Sequence, residues 1–195
     1  MKKQNLFVVT IAAVSGGGKT TITKKLAETL NNSKALYFDD YEFAIQPDDI
    51  CEWVEKGADP NEWDLTPLIN DMQVALSVNK NPLDYIIVDY PFAYAHSGMN
   101  DFIDFTIFID TPLDIAMARR ILRDYTQSSA EEIRDELVHY LKRSRNAYLN
   151  ALNTTKPNSD FVIDGSLPIE SIVDSIVLEI KKRKISILEE AKGIT

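Results

Sequence analysis

The chain has 195 residues, 45% of them hydrophobic, which is enough for one well-buried domain and short for two. Its formal net charge of −9 argues against a nucleic-acid-binding surface, and its single cysteine, Cys51, rules out an intrachain disulfide and reads as inert and half-buried. No apolar run approaches the roughly eighteen residues of a membrane span, and Met1 to Asn5 carry no signal-peptide pattern; the expectation is a cytoplasmic protein with a small-molecule partner, no nucleic acid and no membrane. Homo-oligomerisation is left open by these features.

The first expected element is a strand, Phe7–Ala13, followed by Val14-Ser15-Gly16-Gly17-Gly18-Lys19-Thr20-Thr21 and a helical pattern over Ile22–Leu30. Strand, glycine loop and helix in that order form a phosphate-binding P-loop, in which curled backbone N–H groups and the helix dipole face an anion. Ser15 to Thr21 are therefore expected to hold a nucleoside triphosphate, with Lys19 reaching its outer phosphates and the Thr20 hydroxyl ligating Mg²⁺. Ala13 stands where the usual pattern begins with glycine, a small change.

A second strand, Ala35–Phe38, runs into Asp39-Asp40-Tyr41. Two adjacent carboxylates beside a triphosphate suit transfer to a hydroxyl: one accepts the proton of the attacking alcohol, the other helps place the metal. A helix is expected over Pro67–Val78 and a third strand over Tyr85–Val88. Asp89 at its end matches the acidic residue that holds Mg²⁺ through its water shell. The fourth strand, Phe105–Ile109, precedes a helix over Leu113–Tyr125 that carries Arg119, Arg120 and Arg123. Arginines there suit a basic segment that closes over transferring phosphates. A long amphipathic helix follows over Ala130–Leu152, then a fifth strand, Phe161–Ile163. The turn Asp164-Gly165-Ser166 comes next, where adenine is expected to rest. A last helix, Ile169–Ile187, ends in Lys181-Lys182-Arg183-Lys184, read as solvated cations favoured by the helix dipole.

Alternating strands and helices after a P-loop give an α/β fold, the three-layer P-loop nucleoside triphosphate hydrolase fold with a five-stranded parallel sheet and a helical lid. The whole of 1–195 reads as a single domain, with the lid at about 119–145. Ligands should lie at the carboxyl ends of the strands, where the first and third diverge.

The P-loop, the Asp39-Asp40-Tyr41 turn, the Arg119-to-Asp124 segment and the Val162-Ile163-Asp164-Gly165-Ser166 turn together resemble the uridine kinase and nicotinamide riboside kinase group of P-loop kinases, and more loosely pantothenate kinase and phosphoribulokinase. The resemblance implies an ATP- and Mg²⁺-dependent kinase that phosphorylates a hydroxyl of a nucleoside or related ribosyl or sugar-like compound. It implies that Asp39 is the base, that Asp40 and Tyr41 neighbour the acceptor, and that Asp64, in Trp63-Asp64, holds ribose hydroxyls. It also implies phosphate contacts from Arg119, Arg120 and Arg123. The chain departs from that pattern at Asp89-Tyr90, where glutamate and glycine are common, and in the acidic insertion Gln46 to Glu62 with its tryptophans.

Three other functions compete. A GTPase switch needs Asn-Lys-x-Asp after a strand, whereas Asn79-Lys80-Asn81-Pro82 has proline in place of the aspartate and precedes a strand. A nucleotide-binding protein without kinase activity would not need Lys19, Thr20, Asp39 and Asp89 together. A nucleoside monophosphate kinase would use similar lid chemistry with a phosphate as acceptor.

Overall fold

The computed structural model describes residues 6–77 and 83–191; Val78 and the Asn79-Lys80-Asn81-Pro82 stretch lie outside them. Five parallel strands, β1 (Phe7–Ala13), β2 (Ser33–Tyr37), β3 (Tyr85–Asp89), β4 (Phe105–Asp110) and β5 (Phe161–Asp164), form one sheet in the order β2-β3-β1-β4-β5. Every residue of β1 is buried, as befits a central strand with helices on both faces. On one face Val9, Ile11 and Ala13 pack with Ile22 and Leu26 of α1 (Lys19–Thr29) and Ile176 of α8 (Ile169–Ala191). On the other, Val8 meets Leu68 and Met72 of α3 (Thr66–Ser77), and Ala12 meets Ala116 and Met117 of α5 (Leu113–Asp124). The one polar residue of β1, Thr10, is satisfied by its cross-strand partner: its hydroxyl lies 2.7 Å from that of Thr106.

From β1 the chain passes to β2, beyond β3 in the sheet; from β3 it passes to β4, on the other side of β1. The two connections therefore part at the carboxyl ends of β1 and β3, which places the site there. Asp89 lies level with Ile11 of β1 and Tyr37 of β2, at the mouth of that divide.

Several elements differ from their sequence expectation. The insertion folds into α2 (Ile50–Glu55) and a 3₁₀ turn at Pro60–Glu62. Asp49 caps α2 by accepting the N–H groups of Cys51 and Glu52, at 2.7 and 3.1 Å. A second short helix, α4 (Ser97–Asn100), follows β3. The long helix expected over Ala130–Leu152 starts as expected, with a capping box between Ser129 and Glu132, but reaches Thr155. It runs as α6 (Ala130–His139), a wider π turn at Tyr140–Ser144, α7 (Arg145–Asn150) and a second π turn at Ala151–Thr155. α8 likewise outruns Ile187, so the basic cluster sits before the last turn and is not a dipole cap. Lys184 instead lies over the Tyr85 ring, 4.3 Å from its centre, and Lys182 pairs with Glu179. Cys51 is buried as a free thiol, its Sγ 4.0 Å from Nε2 of His139. Among the described residues no helix is long and apolar enough to cross a membrane.

Candidate active site

The loop between β1 and α1 is shaped by packing as much as by its sequence. Gly16 has φ +75, and a Cβ on it would run into the backbone carbonyl of Ala116 in α5, so no other residue fits without moving that helix. Thr111, just after β4, donates its hydroxyl to the Gly17 carbonyl at 2.8 Å. α1 begins at Lys19 with no side chain capping its first turn, which leaves the N–H groups there for an anion.

Behind the loop, the Asp89 carboxylate receives both functional side chains of α1. Lys19 Nζ pairs with its Oδ1, and the Thr20 hydroxyl donates to its Oδ2 at 2.7 Å. The Asp89 side chain is only 1% exposed, so the pair is shielded from screening water. Burial pushes the Lys19 ammonium below its ordinary value of 10.5; the charge of Asp39 opposes this and that of Arg123 adds to it. Lys19 therefore feels both Asp39, in the 3₁₀ turn after β2, and Arg123, in the last turn of α5.

Lys19 and Thr20 line a cavity of about 610 Å³, while Asp89, buried behind them, does not. The cavity floor is the P-loop from Ser15 to Thr21, except Gly17, and Asp39 and Arg123 stand on its wall. Asp40 lies outside it, exposed, next to Asp39 on the short 3₁₀ turn Phe38–Asp40. Tyr41 also lies outside: its hydroxyl donates to Asp71 of α3 at 3.0 Å, and burial together with that carboxylate pushes its pKa up. Asp64 is engaged elsewhere, accepting the Thr66 N–H and hydroxyl at 3.1 and 2.5 Å at the start of α3. It borders a separate, shallower hollow of about 370 Å³.

The three arginines of α5 take separate paths. Arg123 lines the cavity and is clamped by Asp124, its neighbour, through bonds of 2.6 and 2.9 Å. Arg119 donates to the Gly165 carbonyl at 3.2 Å. Arg120 turns toward α6 and α7, 2.9 Å from Glu136 and 3.4 Å from the Tyr148 hydroxyl, while its Nε shares Asp124 with Arg123 at 3.7 Å. The turn after β5 is also tightly set: Asp164 accepts the Ser166 N–H and hydroxyl at 2.8 and 2.6 Å, and a Cβ on Gly165 would overlap the Thr111 hydroxyl. Thr111 thus links the Gly165 turn to the P-loop.

The rest of the cavity wall was not read from the sequence. Phe38, Trp53, Trp63 and Phe92 line it as well, and Tyr148, Asn150 and Thr155 come from the long helix. Trp63 meets Phe38 and Trp53 edge to face, 5.3 and 6.2 Å between centres, and lies tilted against Phe92 at 5.7 Å. Two signals were available: the aromatic density around Asp39, and Asp49 three residues before Glu52, which marks a helix start.

The sequence model of the Phosphoribulokinase / Uridine kinase family matches residues 81–172. Uridine kinase of Staphylococcus carnosus (strain TM300) is 26% identical over 179 residues, covering 80% of this chain and 86% of that one. Uridine kinase of Borrelia duttonii (strain Ly) is 25% identical over 177 residues, covering 80% and 85%. Among solved structures, a gluconokinase from Sinorhizobium meliloti 1021 matches over 99% of both chains with a TM-score of 0.52 at 14% identity. The chain thus resembles the phosphoribulokinase and uridine kinase family in sequence, and it has the P-loop nucleoside triphosphate hydrolase fold of small-molecule kinases.

Proposed function

We propose that this chain transfers the γ-phosphoryl group of ATP to a hydroxyl of a nucleoside or a related ring-bearing alcohol. The observation that carries this reading is that Asp39 shares one cavity with the P-loop and acts electrostatically on Lys19, so a carboxylate lies in the space a triphosphate would enter. The uncapped first turn of α1 and the loop amides suit the phosphates, and Lys19 suits their outermost oxygens. The Thr20 hydroxyl and Asp89 carboxylate are adjacent oxygen donors. Among the described residues no three carboxylate, histidine or cysteine side chains gather into a cage. That donor set fits Mg²⁺, which is held by one or two protein oxygens together with phosphates and water. When bound, the ion would neutralise charge on the bridging phosphate oxygens.

In this reading Asp39 accepts the proton of the attacking hydroxyl, and Arg123, on the same wall, offsets charge on the transferred group. Arg119 and the Gly165 carbonyl frame the turn beside the nucleotide base. A phosphate acceptor, as in a monophosphate kinase, is the weaker reading. The cations that line the cavity among the described residues are Lys19 and Arg123, both already required by the triphosphate. The test is a transfer assay with ATP and Mg²⁺ over nucleosides, vitamins and sugars, scored against background hydrolysis. A monophosphate phosphorylated faster than any alcohol would overturn the assignment.

A further inference from the structure

The peptide between Gly17 and Gly18 is the least constrained link of the phosphate loop, because glycine stands on both sides of it. Each glycine is demanded locally: a Cβ on Gly17 would meet the Ala13 Cβ and the Val14 carbonyl at 2.8 Å, and Gly18 has φ +99. Glycine, however, opposes neither orientation of the peptide plane that the two share. A concerted turn of Gly17 ψ and Gly18 φ would exchange the directions of the carbonyl and the N–H. One contact opposes that exchange. The Thr111 hydroxyl, buried behind the loop just after β4, donates to the Gly17 carbonyl at 2.8 Å. Thr111 does not line the cavity, and neither does Gly17, whereas Gly18 does. In a trans peptide the carbonyl and the following N–H point opposite ways. A carbonyl held inward against Thr111 therefore leaves the Gly18 N–H on the cavity side, and among the described residues no backbone carbonyl accepts it. Thr111 is itself braced: the Gly165 turn packs on it so closely that a Cβ on Gly165 would overlap its hydroxyl.

We propose that Thr111 is a positioning residue: it locks the Gly17–Gly18 peptide with its N–H toward the cavity, and so fixes the loop in its anion-binding orientation. Without the hydroxyl donor, the Gly17 carbonyl would be buried with no partner, a cost that the flipped peptide escapes by turning that oxygen into the cavity. There it would face the phosphates and put a negative dipole end where a donor had been. The inference rests on the triphosphate-binding part of the kinase reading, and adds to it a residue from outside both the loop and the cavity. It gives the turn after β5 a second task, since Gly165 seats the side chain that sets the loop.

The experiment uses the full chain and inorganic tripolyphosphate, titrated by calorimetry without metal, so that the loop is read apart from turnover. Thr111→Val keeps the shape of the side chain and removes the donor; it should weaken tripolyphosphate binding by about tenfold or more. Thr111→Ser keeps the donor and should bind within about threefold of the wild type. In the transfer assay, Thr111→Val should raise KM for ATP by a similar factor, with KM for the acceptor at saturating ATP within about twofold. A residue that only holds the fold would shift both constants, and serine would not restore them. Should Thr111→Val not fold, Thr111→Ala removes the same donor with no added bulk; loss of folding in both would assign the hydroxyl to the fold and overturn the proposal. Tripolyphosphate binding that Thr111→Val leaves undiminished, or that Thr111→Ser weakens as much, overturns the proposal and leaves the kinase reading standing. If the variants part as expected but no acceptor is phosphorylated, the kinase reading fails and the role of Thr111 stands. A wild type that binds no tripolyphosphate removes both.

Discussion

Thr20 and Asp89 are joined by a hydrogen bond of 2.7 Å, hydroxyl to carboxylate, which closes the start of α1 against the end of β3. The same carboxylate holds Lys19, so before any nucleotide arrives the two groups that would bind phosphate and metal are already assembled by one buried anion. Asp89 is thereby part of the fold, and in the proposed reading part of the site, two roles that mutation separates.

Lys19→Ala should abolish transfer, because the loop lysine acts most strongly on charge that develops at the γ-phosphate. It should also cost stability, about 3–5 kcal/mol, because Asp89 is left buried without its cation. Adding Asp89→Asn removes the orphaned charge, so the double variant should regain most of the lost melting temperature and none of the activity. Thermal denaturation of the wild type, the two single variants and the double variant completes the cycle; a double variant no more stable than Lys19→Ala would show that the pair is not what holds the loop.

The alkaline limit of nucleotide binding should lie below that of an ordinary lysine. Burial lowers the Lys19 pKa from 10.5, and only the charged form attracts the triphosphate, so affinity should fall as pH rises through that lowered value. The neighbours set its position: Arg123→Gln removes a cation and should move the limit up, and Asp39→Asn removes an anion and should move it down. Mg-ATP affinity measured by titration across pH 8 to 10.5 reads the effect directly. Identical limits in all three proteins would contradict it.

Arg123 and Arg120 should part company in function. Arg123 lines the cavity, and Arg123→Ala should lower kcat by roughly a hundredfold or more, with the fold unchanged. Arg120 ties α5 to the long helix through Glu136 and Tyr148, so Arg120→Ala should act mainly on stability, by about 1–3 kcal/mol. Steady-state kinetics and melting on the two variants separate a phosphate contact from a structural tie.

How much of this was legible in the sequence follows from what sets each feature. The strands were, because five apolar runs between helices have one compact solution, and β1 matches its expected range residue for residue. The P-loop was legible because its glycines, lysine and threonine are local in sequence. The three arginines were not resolved: helical spacing puts Arg119, Arg120 and Arg123 near one another, but the partners that part them, Gly165, Glu136 and Asp124, come from different distances along the chain. Asp64 illustrates the same limit, since its sequence neighbour Thr66 captured a carboxylate expected to face a ligand. The aromatic wall stayed hidden because it is built from Phe38, Trp53, Trp63 and Phe92, which sequence separates and the α2 insertion brings together.

Mg-ATP should stabilise the fold by mass action, by about 2.7 kcal/mol when the nucleotide is present at a hundred times its Kd, and EDTA should remove most of the gain. The contrast between the metal-free and metal-bound shifts tests the Thr20 and Asp89 oxygens as the proposed metal ligands. A shift that is the same with and without EDTA would place the metal outside the site.

The last prediction concerns the two carboxylates that sequence leaves adjacent. Asp39, though exposed like Asp40, lines the cavity together with the P-loop and the aromatic residues, and its charge is felt by both Lys19 and Arg123. Asp40 is exposed, and its charge falls on Tyr37 and Tyr41, away from the phosphate loop. Asp39→Asn keeps the shape and removes the proton acceptor, so kcat should fall by about two to four decades with ATP affinity changed far less. Asp40→Asn should leave kcat within about twofold, because a solvated carboxylate outside the cavity has no proton to accept from the acceptor. Single-turnover rates with saturating ATP isolate the transfer step from product release. A dead Asp40→Asn beside an active Asp39→Asn would reverse the two roles, and full activity in both would move the base to another residue of the wall.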